Sequence, residues 1–239
     1  MKQLISFLEK DRKKNVSVLN HIDSGKEIEY RIENNFAVIR VVKGTNGKDT
    51  SIYFAGEGEI SEKFIKSFIK KGDRMFCSVD YKFYEQMRNL PMTTWEEICY
   101  KFIYEKNRID RVLNNNIENI REKDISIVDR TWSYTGSWSY KYLKSCIDSD
   151  VNSAIYIDNE IAGWSLSHSD GSIGTLFVLD KFRGRGIAQD VITSMTRKKL
   201  ESSKLPYLFT AENNKKSQNL VSKVGYTKYK KVFWMGIKI

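Results

Sequence analysis

Apolar and polar positions along the chain recur with two periods, and the changes between them mark its elements. "QLISFLEKDRKK" near the start has helical spacing. "EIEYRIE" and "FAVIRVV" alternate with period two and are joined by Asn34 and Asn35, which predicts a hairpin; "TSIYFAG" adds a third strand. In "ISEKFIKSFIKKG", Phe64, Ile65, Phe68 and Ile69 fall on one helical face, Ser61 marks the entry, and Gly72 is the expected C-terminal cap. A strand "RMFCSV", a helix "YKFYEQMRNL" and a β-like "EEICYKFIYE" complete an α/β unit without a catalytic spacing. The polar run 105–119, with three consecutive asparagines and no strong period, is the expected linker. A boundary near residue 112 then gives an N-terminal α/β domain, 1–112, and a second domain, 113–239.

The second half is read more easily. "IREKDISIVDRTW" suggests a short strand and a helix starting at Asp124, and "SYKYLKSCID" a helix capped by Ser139. "NSAIYID", "EIAGWSLSH" and "SIGTLFVL" form an antiparallel meander with turns at Asp158–Asn159 and "SDG". After the stretch "FRGRGIAQDV", Ala188, Val191, Ile192 and Met195 share a helical face as far as Leu200, and Pro206 restarts a strand, "PYLFTA". A helix from Lys215 to Val224, stopped by Gly225, precedes a terminal strand pair, "YTKYK" and "VFWMGIKI".

Composition narrows the class. No apolar run approaches membrane-spanning length, and the opening "MKQLISFLEKDRKK" is too short in apolar residues for a signal peptide. Cys77, Cys99 and Cys146 are widely spaced and lack CxxC or histidine-rich partners, so neither a disulfide framework nor a metal site is expected. The reading is a reducing, cytoplasmic protein with no membrane partner. A net charge of +10 invites a nucleic-acid partner, but the basic residues lie in short clusters diluted with acids and apolar residues, the mark of solvated faces. An anionic small ligand remains compatible.

The candidate chemistry lies at residues 182–191. Gly184 and Gly186 sit where strand gives way to helix, where unpaired N–H groups and the helix dipole favour negative charge. Without Cβ atoms the backbone can form a concave nest of amides, while Arg183 and Arg185 supply charge and forked donors. A diphosphate fits. A P-loop would need GxxxxGK followed by Ser or Thr, and a dinucleotide fingerprint would need glycine where Gln189 stands. The remaining match is RxxGxA, which taken as a string also suits a plain tight turn with a helix cap.

Read with its neighbours, the segment resembles the GNAT superfamily of acyl-CoA N-acyltransferases. Arg183, Gly186 and Ala188 look like the family's Q/R-x-x-G-x-G/A loop, and "NKKSQNLVSKVGY" resembles its later motif through Asn214, Ser217, Leu220, Gly225 and Tyr226. "VDRTWSYTGSWSYKYLKSCI", "IAGWSLSHSDGSIG" and "VFWMGI" are similar to the glycine N-acyltransferase-like branch, whose extra N-terminal region is often a degenerate copy of the same fold. The resemblance covers roughly 113–239 well and implies an α/β (α+β) GNAT fold, a mixed, mostly antiparallel sheet flanked by helices. It implies acetyl-CoA or another acyl-CoA as substrate, no metal, and a small-molecule amine or amino acid as acceptor. Arg183, Gly184, Arg185, Gly186, Ile187, Ala188, Asn214 and Ser217 would bind coenzyme A; Phe177, Val178 and Leu179 would pair with its pantetheine arm, which lies between splayed strands.

Val178 N–H is the implied polariser of the thioester oxygen. The chain departs from the family at both proton-transfer positions: Ser172 stands where many relatives carry a glutamate base, and Val221 where many carry a tyrosine acid. His168, Asp170 or a water chain are then the expected proton acceptors, with Tyr226, Trp234 and Trp164 expected in the core. A non-catalytic acyl-CoA-binding module is the alternative; a nucleic-acid binder is the third reading.

Overall fold

The computed structural model describes residues 1–42 and 50–238. Contacts divide the chain into two units, Met1–Lys101 with Lys230–Ile239, and Phe102–Tyr229. The chain therefore changes unit at residues 101 and 102 rather than near 112, and its C-terminal stretch belongs to the first unit.

In the first unit, helices α1 (Lys2–Glu9) and α2 (Arg12–Asp23) precede strands β1 (Glu27–Glu33), β2 (Phe36–Val42) and β3 (Thr50–Gly56). One helix was expected in this opening stretch; Asp11 breaks it by accepting the Lys14 N–H as the cap of α2. The β1–β2 hairpin turns at Asn34, whose φ of 49° suits the short two-residue turn. Helix α3 (Glu62–Phe68), strand β4 (Asp73–Asp80), helix α4 (Tyr81–Met87) and strand β5 (Thr93–Ile103) follow. Gly72 does not cap α3: Ile69 is already extended, and Gly72 closes the following turn at φ +103°. β3 runs parallel to β4 through Thr50↔Asp73, Ser51↔Met75 and Ile52↔Phe76.

The rest of the chain repeats the order, the second unit followed by the strand that returns to the first. Helices α5 (Ile125–Thr131) and α6 (Ser139–Ser149) lead to β6 (Asn152–Ile157), β7 (Glu160–Ser167) and β8 (Ile173–Val178); then come α7 (Ile187–Glu201), β9 (Tyr207–Ala211), α8 (Lys215–Val224) and β10 (Thr227–Ile237). β6, β7 and β8 form the expected antiparallel meander, with Asp158 and Asn159 at positive φ. The short strand expected before α5 is reduced to one bridge, Glu118 to Ala154, and α5 itself begins at Ile125 behind a 3₁₀ turn that ends at Asp124. Ser139 is the first residue of α6 rather than its cap, its hydroxyl taken by Asp129 Oδ1 and the Gly136 backbone. The expected terminal pair is one strand, β10, with an irregularity between Phe233 and Met235; residue 239 lies outside the described residues.

The strand order is β1-β2-β3-β4-β10-β5 in the first unit and β9-β8-β7-β6 in the second. In the second unit the α7 face of the sheet buries Ile155, Ala162, Phe182, Ile187 and Val191, and the α5–α6 face buries Val128, Leu143, Cys146, Trp164 and Leu166. No helix among the described residues is long and apolar enough to cross a membrane.

Candidate acyl-CoA site

β8 carries the open edge of the second unit. On one side it pairs with β7; on the other it meets β9 at a single position, Ile173↔Leu208. Between Gly174 and Phe177, β8 holds one residue more than β7, and Thr175 takes φ +52° to accommodate it. Beyond this bulge, Leu179 N–H donates to Ala162 O at 2.9 Å. Strand alternation then turns Val178 to the opposite edge, where its carbonyl accepts from Arg183 Nε at 3.2 Å.

After β8 a short 3₁₀ turn buries Phe182, and the next four residues, Arg183 to Gly186, are exposed. Gly184 and Gly186 stand at φ +80° and +77°, and a Cβ on either would meet nothing within 4 Å. Gly186 is the N-cap of α7 and has no side chain to occupy it, while among the described residues no backbone acceptor takes the N–H groups of 184–188. The start of a 15-residue helix is thus left open, its amides and dipole directed outward. Gly163 on β7 lets the helix lie this close, because a Cβ there would come within 2.6 Å of Ile187 Cγ2.

The resulting cleft of about 570 Å³ runs from Leu176, Phe177 and Val178 past the glycine loop to α8. Of the residues expected to bind coenzyme A, Phe177, Val178, Arg183, Gly184, Gly186, Ile187, Ala188 and Ser217 line it. Leu179, Arg185 and Asn214 are not in its wall: Leu179 packs into the core, Arg185 lies over the Phe182 ring at 5.6 Å, and Asn214 caps α8 by accepting the Ser217 N–H at 3.0 Å. Lys216 and Lys223, which the motif did not indicate, add positive charge to the α8 wall.

The proton-transfer candidates lie on the α5–α6 side of β8. His168 Nδ1 shares a 3.0 Å hydrogen bond with the Tyr142 hydroxyl, and Nε2 is 3.4 Å from Thr175 Oγ1. The ring lies directly over Gly174, where a Cβ would come within 2.3 Å of Nε2. Burial pushes the Tyr142 hydroxyl well above its ordinary range, so it keeps its proton. Asp170 is buried, and its Oδ1 accepts from Ser172 N–H at 3.0 Å and Ser172 Oγ at 2.6 Å. Asp170 and Ser172 therefore close the turn that carries His168, whose N–H donates to Ser172 O at 2.8 Å. Val221 is buried in the underside of α8. Trp164 stacks on Phe177 in the core, and Tyr226 is buried with its hydroxyl on Thr196 at 2.7 Å.

Sequence reasoning missed Asp190. It is wholly buried in the first turn of α7, where Oδ2 accepts from the Asn114 and Asn115 backbone N–H groups and from Asn115 Nδ2 at 2.7–3.0 Å. Arg111 adds a bond to Gln189 Oε1 at 2.8 Å. The expected linker is thus strapped to the helix behind the glycine loop.

Residues 156–235 match the family model described as FR47-like protein. No curated protein matches the sequence. Among solved structures, a Drosophila protein superposes with a TM-score of 0.81 at 15% identity, over 99% of this chain and 96% of that one. A GCN5-related N-acetyltransferase-like protein from Streptococcus suis gives 0.59 at 11%, over 99% and 98%. An acetyltransferase from the GNAT family of Colwellia psychrerythraea gives 0.55 at 11%, over 98% and 97%. At these identities the likeness establishes the fold: a GNAT-type α/β architecture, as the resemblance implied.

Proposed function

We propose that the chain is an acyl-CoA-dependent N-acyltransferase that moves an acyl group, acetyl in the first instance, to a primary amine of a small molecule or amino acid. The observation that carries this reading is the open start of α7, with two left-handed glycines and outward amides, at a cleft bounded by the unpaired edge of β8. The GNAT-type fold and the FR47-like match over the same segment support it.

The thioester substrate supplies an electrophilic carbonyl carbon: the amine, its ammonium proton first passed to a base, bonds that carbon, and the carbon–sulfur bond breaks as a second nitrogen proton passes to the sulfur, which leaves as thiol. In this chain the amides of 184–188 and Arg183 would hold the diphosphate. Val178 N–H, on the open edge, would polarise the thioester oxygen. His168, oriented by Tyr142, would accept the ammonium proton on Nε2, with Asp170 and Ser172 as positioning residues that fix its turn. Holding an amine in attack geometry contributes up to about 7–11 kcal/mol, so no full side-chain triad is needed.

Calorimetry with acetyl-CoA, and thiol release with a panel of amines, test the reading. Binding is expected, with turnover that His168→Ala lowers by ~100-fold while coenzyme A affinity is kept. Absence of binding to acetyl-CoA and to longer acyl-CoAs overturns it. A non-catalytic acyl-CoA-binding module is the competing reading, favoured by Ser172 and Val221 at the usual proton-transfer positions; tight binding with no turnover across broad panels would select it.

A further inference from the structure

Beside His168 lies a cluster of rings that the acyl-transfer reading leaves unused. Trp132 stacks on Tyr142 at 5.6 Å and meets Tyr134 and Trp138 edge-on, each at 5.7 Å. Tyr142 in turn stacks on His168 at 6.0 Å. The inner rings are partly buried, but Tyr134 is 51% and Trp138 50% exposed, both in the connection between α5 and α6. Aromatic surface this open is costly to leave in water without a use.

Two observations say what would cover it. The first is continuity with the cleft: His168 reaches Gly174 and Thr175, two to four residues before Phe177 and Val178 on the same strand, roughly 7–13 Å along it. The second is charge. Residues 131–147 contain no carboxylate; of their lysines, Lys144 pairs with Glu122 and Asp148, while the Asp129 carboxylate behind Trp132 accepts from Ser139 Oγ. The connection itself, residues 132–138, offers a second cation no carboxylate, whereas its exposed ring faces and edges suit another ring.

We propose that Trp132, Tyr134, Trp138 and Tyr142 form the acceptor subsite, and that it selects amines carried on a flat aromatic ring over aliphatic amines and diamines. The inference rests on the acyl-transfer reading. The subsite holds the ring in offset or edge-on contact, which brings the amine toward His168 Nε2 and the β8 edge.

The test is calorimetric titration of 2-phenylethylamine, hexylamine and 1,4-diaminobutane into the full chain saturated with coenzyme A, with circular dichroism to check each variant's fold. The aromatic amine is expected to bind about tenfold more tightly than either aliphatic one. Trp138→Ala and Tyr134→Ala, both at half-exposed positions, are expected to erase that preference, whereas Tyr81→Ala, an exposed ring in the first unit, keeps it. Equal affinities, a preference for the diamine, or a preference untouched in both variants overturns the inference. So does a loss in the two variants of coenzyme A affinity rather than amine affinity, which would assign the rings to the acyl donor. A chain that binds coenzyme A but not the aromatic amine refutes this subsite alone; a chain that binds no acyl-CoA refutes the functional reading beneath it.

Discussion

The two units run through one order of elements, yet they treat the same junction in opposite ways. In the first, β3 stays paired with β4 at three positions, and the helix that follows is sealed by its own residue: Ser61 Oγ accepts the Phe64 N–H at 3.1 Å, with Glu62 in the first turn. In the second, β8 pairs with β9 once, and the corresponding helix begins on Gly186 with no cap. The glycines differ in the same sense. A Cβ on Gly58 would come within 2.9 Å of the Phe36 ring, so that glycine serves packing; a Cβ on Gly184 or Gly186 would meet nothing. One junction satisfies its polar groups internally and the other leaves them open, so one order of elements carries two different junctions.

That contrast can be broken at several points. The largest effect is expected at the buried pair of the first unit, where Asp73 accepts from Arg40 and Thr50 and both partners are almost wholly buried. Asp73→Ala should cost about 3 kcal/mol in chemical denaturation, because it takes from a buried guanidinium one of its two carboxylates and leaves it only Glu29 and the Phe68 carbonyl. The exposed Arg183–Asp180 pair of the second unit is the counterpart, and Asp180→Ala should change stability by less than about 0.5 kcal/mol. Acid titration reads the buried pairs of both units. Burial raises the Asp73 and Asp150 carboxyls, but bonds from Arg40 and Lys199 outweigh it and hold both below the ordinary range. Stability from these groups is present above the unfolded carboxylate range, near pH 4, and is lost as pH falls through the lower folded values. A denaturation midpoint that stays level down to pH 2 would contradict this.

Next in size, Gly186→Glu should weaken acetyl-CoA binding by ~100-fold in calorimetry, through a charge beside the diphosphate and a strained left-handed backbone. Smaller again is Ser61→Ala, which removes the cap of α3 and should cost about 1 kcal/mol while leaving coenzyme A affinity unchanged. If Ser61→Ala changed that affinity, the division of labour between the units would be wrong.

How much of this was legible follows from the range of each interaction. The meander, the glycine loop and the helix after it are local patterns, and the two left-handed glycines ahead of α7 are legible from residue types alone. Gly72 and Ser139 were misjudged because a cap depends on which residue first leaves the helix, and neighbouring contacts decide that. Thr175 at positive φ gave no signal, since its strain is imposed by a register mismatch with β7. Asp190 looked like an ordinary acidic residue of a helical first turn; only the return of 111–115 onto α7 makes it a buried clasp. The pairing of Tyr142 with His168 was equally hidden, because 26 residues separate them along the chain.

The placement of Lys230–Ile239 with the first unit means that this unit is not one uninterrupted stretch of gene. A recombination that swapped the leading half for a homologue would leave the newcomer packed around a tail encoded elsewhere, and a clean excision of residues 1–101 would strand that tail. Inheritance should therefore keep the two units together.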